Sequence, residues 1–260
     1  MRSSEGTSSL GRLSSAEPSR AKAMNEAQSF GRPSPGARRP APKDATLLLA
    51  AKLRAKLGDG AGVLALTSLR GREAVSSAVA ELGEALTAGK GDDPVLIVDA
   101  NLSSPSQHQA FGLSPSPGLS ELLSGETDVS DAVRATTSPK LFVLPAGRIL
   151  ERGVQGVDRA RFREVLAVLR SHFHTILVDA PPLAERGALA LLPGHSDGVL
   201  MLIAPGRHDR SQVRKALSEL ESLGVNVIGT CLSTVETPER EGLLPRLAGR
   251  ARGWLRSREG

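Results

Sequence analysis

Val63–Ser77 reads VLALTSLRGREAVSS. An apolar run meets a turn with one glycine, Gly71, and passes into a helix-forming stretch. That order is the layout of a phosphate-binding loop, where backbone N–H groups at a helix N-terminus aim at phosphate oxygens and a lysine adds a point charge. A hydroxyl after the lysine holds magnesium. Here Val75 stands at the lysine position and Ser76 at the hydroxyl position. The layout is legible, and its charge is gone.

Outward from this stretch, apolar runs recur. Gly62–Thr67, Pro94–Asp99, Lys140–Pro145, Thr175–Asp179, Gly198–Ala204 and Asn226–Leu232 are near-continuous rather than alternating. Parallel strands covered on both faces read this way. Between them, Phe162, Val165, Leu166, Leu169 and Phe173 recur at helical spacing, as do Val213, Ala216, Leu217, Leu220 and Leu223, with Gly224 as the stop. Strand–helix alternation at this spacing predicts an α/β fold, a doubly wound and mostly parallel sheet with helices on both faces.

The 260 residues suffice for one large domain with tails. Residues 1–43 are rich in Ser, Gly, Pro, Ala and Arg without apolar periodicity, and are expected to be disordered. The domain is expected over 44–235, opening with an amphipathic helix, Ala45–Leu57, that carries Leu47, Leu48, Leu49 and Leu53 on its apolar side. Residues 236–260 form a basic tail. Within it Leu244, Leu247, Ala248, Ala251, Trp254 and Leu255 share one helical face, and Arg246, Arg250, Arg252, Arg256 and Arg258 cover much of the rest. Two readings stand for it: contact with an anionic membrane surface or acidic partner, or packing of the apolar side on the domain.

The net charge of +5 sits largely in the tails, which argues against a basic groove for nucleic acid. A single cysteine, Cys231, rules out an internal disulfide and suits a reducing compartment. No apolar run nears the roughly 20 residues that span a bilayer, and the first residues hold no secretory signal. A cytoplasmic protein is expected. Tyrosine is absent.

In open α/β sheets ligands bind beyond the carboxyl ends of the strands. Three turns lie there: Thr67–Ser77, the stretch Val95–Glu126 with Asp99 at a strand end, and His174–Leu183 with Asp179 at a strand end and Pro181–Pro182 after it. Asp99 and Asp179 are candidate catalytic carboxylates and, with Ser76, the candidate magnesium ligands. The plainer alternative makes both aspartates caps of their turns and Ser76 a helix cap. Arg70 and Arg72 are read as solvated arginines, with substitution for the lysine as the alternative. His172 and His174 have a spacing that would set both on one face of a strand, but no third ligand is near in sequence.

At these turns the chain resembles the cytoplasmic domain of the bacterial tyrosine autokinases of exopolysaccharide and capsule synthesis, the CpsD/CapB type, in the MinD/ParA-like branch of P-loop proteins. Against that family's TS-x-x-PGEGKS, Thr67, Ser68, Glu73 and Ser76 match. Against D-x-D-L-x-x-P-x-x-H-x-x-FGL and GLS-x-x-L-x-G, the matches are Asp99, Leu102, Pro105, His108, Phe111–Leu113, Gly118–Ser120, Leu123 and Gly125. Asp179, Pro181 and Pro182 match D-x-PP, and LFVLPAG at Leu141–Gly147 and the stretch Ser196–Ser233 read like family segments. The resemblance covers about Asp44–Ser233 and implies a P-loop NTPase-like fold.

It also implies a cofactor site, for ATP or ADP with magnesium, at Gly71, Arg72, Glu73, Ala74, Val75, Ser76, Ser77 and Ser233. Departures fall on that site. Val75 replaces the lysine, Arg72 and Ala74 replace glycines whose loss resists positive φ, Asn101 replaces the second carboxylate of D-x-D, and Ser233 replaces the asparagine that contacts the base in relatives. The family's ring-forming E-x-x-R-x-x-R, which implies a homo-oligomer, keeps only Arg54, with Leu48 and Ala51 at the first two positions. Without tyrosine the chain cannot phosphorylate itself on tyrosine.

The leading expectation is a degenerate autokinase relative, a regulatory or scaffolding component of polysaccharide assembly at the inner face of the membrane. Its implied partner is a chain-length-determinant-type membrane protein. The alternatives are an active ATPase or tyrosine kinase with a non-standard phosphate loop and, more weakly, a MinD/ParA-like positioning protein.

Overall fold

The computed structural model describes residues 39–57, 62–70, 74–88, 93–149, 157–185 and 192–232. Residues 1–38, Gly71, Arg72, Glu73, Ser233 and the basic tail, together with the readings made of them, lie outside the described residues.

Seven strands form one sheet: β1 (Gly62–Ser68), β2 (Val95–Asp99), β3 (Arg134–Ala135), β4 (Leu141–Leu144), β5 (Thr175–Asp179), β6 (Gly198–Ile203) and β7 (Val227–Leu232), in the order β3-β4-β2-β5-β1-β6-β7. Every described pairing is parallel except β3 with β4. The six expected strands are therefore present, each within a residue or so of its expected bounds. The seventh, β3, is two residues long and carries no periodicity that could announce it.

Among the described residues seven helices accompany them: α1 (Asp44–Leu57), α2 (Val75–Thr87), α3 (Gln107–Phe111), α4 (Leu119–Ser124), α5 (Val129–Ala132), α6 (Arg159–His172) and α7 (Arg210–Ser222). On one face of the sheet, α1 and α2 pack over Leu64, Leu66, Ile97, Leu177, Leu200 and Leu202. On the other, Phe162, Val165, Leu166 and Leu169 of α6 and Leu220 of α7 join Val63, Val98, Leu144, Ile176 and Val178. The central strands alternate their side chains between these two cores, which is why they read as unbroken apolar runs.

Local signals agree. α6 begins at Asp158, whose side chain accepts from the N–H of Ala160 at 2.8 Å, and ends with Arg170 and His172 against the negative end of its dipole. α2 buries Val75, Val79, Leu82 and Leu86, one stripe of a 3.6-residue period. It passes so close to the sheet at Gly83 that an added β-carbon would stand 2.8 Å from the Ile97 Cδ1.

Two expectations need correction. On α1 the buried side chains are Ala50 and Leu53, while Leu47 and Leu48 are exposed, so the apolar stripe is turned relative to the four leucines. His172 and His174 do not share a strand: His172 ends α6 and His174 precedes β5. No group of three His, Cys, Asp or Glu side chains that could hold a metal occurs among the described residues. Among those residues, too, no helix is long and apolar enough to cross a membrane.

Candidate functional site

β5 lies between β2 and β1, and all three end at the same edge of the sheet. The register sets Asp99 opposite Asp179, with Leu66 of β1 on the other side of Asp179. Neighbouring parallel strands lie about 4.8 Å apart, so the two carboxyl groups are brought side by side. Both residues are fully buried.

Backbone bonds fasten the turns around them. Ala180 N–H donates to the Leu66 carbonyl, Leu183 N–H to that of Ser68 and Ala184 N–H to that of Leu69, at 2.8–3.1 Å. The Thr67 hydroxyl donates to the Pro181 carbonyl at 2.7 Å. The turn after Asp179 is thereby held on the end of β1, at the entry to the phosphate loop.

The two aspartates have different partners. Asp99 accepts from the N–H groups of Asn101 at 3.3 Å and of Ser106 and Gln107 at 3.0 Å each. It caps the turn after β2 and the start of α3, as the plainer reading expects. Asp179 instead takes side chains. Its Oδ2 accepts from Gln107 Nε2 at 2.7 Å, and the Ser76 hydroxyl also bonds to it. Ser76 is therefore not a helix cap: it is the second residue of α2, with its hydroxyl turned to Asp179.

Burial pushes both carboxyls up. Asp99 rises to about 7, with the charge of Asp179 adding to burial and the three N–H donors opposing. Asp179 rises to about 6 through burial, against the Ser76 and Gln107 bonds. Side by side they favour one proton or cation between them. Asp179 Oδ1 and Gln107 Oε1 are buried without a partner among the described residues. Two bare acceptor oxygens beside a hydroxyl form a hard-oxygen set, which fits magnesium; Asp179 and Ser76 are the residues that would hold it, whereas both oxygens of the expected Asp99 are already taken by N–H donors. Such an ion would supply positive charge to phosphate oxygens.

The phosphate side does not fit as well. Ala74, the residue before α2, keeps the left-handed conformation with φ 52° and ψ 42° although it is not glycine. The expected resistance to positive φ is thus a strain the backbone bears, not a change of path. Val75 is 9% exposed and packs into the core with Val79, Phe111 and Leu113. Arg70 and Ser77 are exposed, and Asn101 closes its own turn through Oδ1, which accepts from Ser104 N–H at 3.3 Å. Arg54, the remnant of the ring-forming pattern, donates to the Leu86 carbonyl at the end of α2.

Two residues with structural weight here were not singled out from sequence. Gln107, fully buried, bridges Asp179 and, at 2.9 Å, the Ser76 carbonyl. A lone glutamine two residues after Pro105 carries no motif signal. The second is Glu121 of α4, just beyond the end of β4. Its carboxylate accepts from Gly118 N–H at 2.9 Å and from the hydroxyls of Ser116 and Ser120 at 2.8 and 2.9 Å, and Arg148 lies 3.3 Å away. Burial alone would raise it, but these bonds outweigh burial and hold it at about 2. Its signal was present in GLS-x-x-L: a glutamate three residues after Gly118 is placed to accept the N-cap N–H.

Known proteins give the geometry a setting. No family model matches the chain. The tyrosine-protein kinase CpsD of Streptococcus agalactiae serotype III is 28% identical over 174 residues, 66% of this chain and 74% of CpsD. The tyrosine-protein kinase Etk of Escherichia coli K12 is 29% identical over 147 residues, 56% of this chain but 20% of Etk. Among solved structures, the VpsO kinase domain superposes with a TM-score of 0.67 at 25% identity, covering 74% of this chain and 93% of that domain. The cell-division ATPase MinD of Pyrococcus furiosus shares the fold, with a TM-score of 0.57 at 24% identity over 66% of this chain and 71% of MinD. The chain is similar in sequence to the CpsD-, CapB- and Etk-type bacterial tyrosine-protein kinases and has the P-loop NTPase fold.

Proposed function

We propose that this chain is a catalytically degenerate relative of those kinases, acting as a regulatory or scaffolding component of exopolysaccharide or capsule biosynthesis and export. Its place is the cytoplasmic side of the membrane, beside a chain-length-determinant-type membrane protein. The observation that carries the reading is Val75, an apolar side chain packed in the core where the loop needs a cation. Loss of one charge-assisted hydrogen bond costs about 1.5–3 kcal/mol, or roughly 10–100-fold in affinity. Charge developing in a transferring phosphoryl group loses more. The absence of tyrosine supports the same reading, since the chain offers no acceptor for tyrosine autophosphorylation.

Titration calorimetry with magnesium-ATP and magnesium-ADP, beside a Val75→Lys variant, tests it. Binding weaker than millimolar in the natural chain, tightened at least tenfold by the lysine, is expected. Micromolar binding with ATP turnover by the natural chain overturns the proposal. The scaffold role is tested separately by co-purification with a chain-length-determinant-type membrane protein, and failure to associate counts against that role.

One observation favours an active nucleotide-binding protein instead. Asp179 keeps a bare, buried oxygen beside the Ser76 hydroxyl, a donor set that suits magnesium. The two readings separate on turnover: an active enzyme loses it when Asp179 becomes Asn, whereas the degenerate chain has none to lose.

A further inference from the structure

On the sheet face carrying α1 and α2, an apolar groove of about 280 Å3 opens toward the β7 edge. Leu66, Leu82, Leu200 and Leu202 line it from the core, with Leu49 of α1 and Cys231 of β7 at its sides. Its volume lies below the roughly 300–1,000 Å3 typical of small-molecule sites. Its polar lining offers little to orient a ligand, because the Thr46 hydroxyl and the Lys43 N–H both already bond to Glu81, at 2.8 and 2.9 Å. A groove of this kind suits inserted apolar side chains.

It is also open on the side where the chain leaves. β7 is the last strand of the sheet, with no strand beyond it among the described residues. Its final residue, Leu232, lines the groove and is 71% exposed. An unguarded strand edge beside an apolar groove is a surface that folded proteins cover.

We propose that this groove seats the chain's own segment Gly242–Gly260, through the face bearing Leu244, Leu247, Ala251 and Leu255. Residues 233–241 connect Leu232 to that segment and, at about 3.3 Å per residue, reach well past the groove that Leu232 already borders. Lys43 also lines the groove, but residues 1–38 have no apolar periodicity that would make them its occupant. Seated this way, the segment keeps Arg246, Arg250, Arg252 and Arg256 facing outward. It also withdraws its leucines from any lipid surface.

The chain carries its own reporters. Trp254 is its only tryptophan and lies within the segment; Cys231 is its only cysteine and lies within the groove. In the dilute full-length protein, Trp254 should emit at the blue-shifted wavelength of a buried indole, and Cys231 should react slowly with a maleimide. Leu244→Asp with Leu247→Asp should shift Trp254 emission to that of water-exposed indole and speed Cys231 alkylation at least tenfold. The far-ultraviolet circular dichroism of the sheet domain should stay unchanged. Shortening the chain after Glu241 should speed alkylation equally. Equal alkylation rates with and without the leucines, or water-like Trp254 emission in the full chain, overturn the proposal. Burial of Trp254 only as protein concentration rises would assign the groove to a second copy. Burial only on adding phosphatidylglycerol vesicles would assign the segment to a membrane. Either result overturns it.

Discussion

Two buried acidic sites stand at one edge of the sheet, with β2 between their strands, and they are furnished in opposite ways. Glu121, beyond β4, is surrounded by donors: two backbone N–H groups, two serine hydroxyls and the Arg148 side chain. Asp179, at the end of β5, has two side-chain donors, a second carboxyl as neighbour and one oxygen with no partner. Burial pushes both upward; donors bring Glu121 down to about 2, while Asp179 stays up at about 6. A buried carboxylate with a full set of donors is a fastener. One left short of donors is poised for a proton or a cation. The contrast separates the part of this edge that holds the fold from the part that keeps the stance of a nucleotide site.

The contrast is broken most directly at Glu121. Glu121→Ala strips the acceptor from four donors, the N–H groups of Gly118 and Arg148 and the hydroxyls of Ser116 and Ser120, and leaves the Arg148 guanidinium without its partner there. The expected loss is on the order of 3 kcal/mol, read by urea unfolding; a loss below about 1 kcal/mol would mean that Glu121 is not a fastener. Asp179→Asn should act in the opposite direction. The folded values of Asp99 and Asp179 lie above the unfolded one, so their contribution is fully present below about pH 4 and is lost as pH rises through about 6 and 7. The nucleotide-free protein should therefore have a lower Tm at pH 8 than at pH 5. Asp179→Asn should flatten that slope and raise stability at pH 8 by about 2 kcal/mol. Glu121 does not blur the measurement, because its stabilisation is fully present above its unfolded value of 4.5 and fades only as pH falls toward 2.

Gln107→Leu sharpens the comparison by taking one donor from Asp179. A cost of about 1 kcal/mol at pH 5 is expected, with a steeper fall in Tm toward pH 8; a parallel shift at both pH values would show that Gln107 only packs. The smallest effect belongs to the backbone. Ala74→Gly relieves the left-handed conformation before α2 and should stabilise by about 1 kcal/mol, seen as a rise in denaturation midpoint without a change in slope. No gain would mean that residue 74 leaves that conformation in solution.

The sheet was legible because parallel strands buried on both faces cannot hide: VLIVD and TILVD have few other uses in a chain of this length. Asp99 and Asp179 were legible as strand-end carboxylates, and the register joins them directly. What escaped were interactions set by neighbours distant in sequence. Gln107 meets Asp179 across 72 positions, and nothing local marks a glutamine for that. The turned stripe of α1 escaped for the same reason. Three leucines lie near its start and a fourth, Leu53, farther on, and only the docked partner, α2, selects which face is buried. Val75 was read as a lost charge; that it also fills the core beside Phe111 follows only once α2 and α3 are placed.

The contact of Gly83 with Ile97 has a mechanical meaning. A β-carbon on residue 83 would stand 2.8 Å from Ile97 Cδ1 and 3.1 Å from Leu141 Cδ1, so the middle of α2 rests directly on these side-chain ends. An axial shift of α2 would have to repack those side chains at its middle and break the Ser76–Asp179 bond at its N-terminal end.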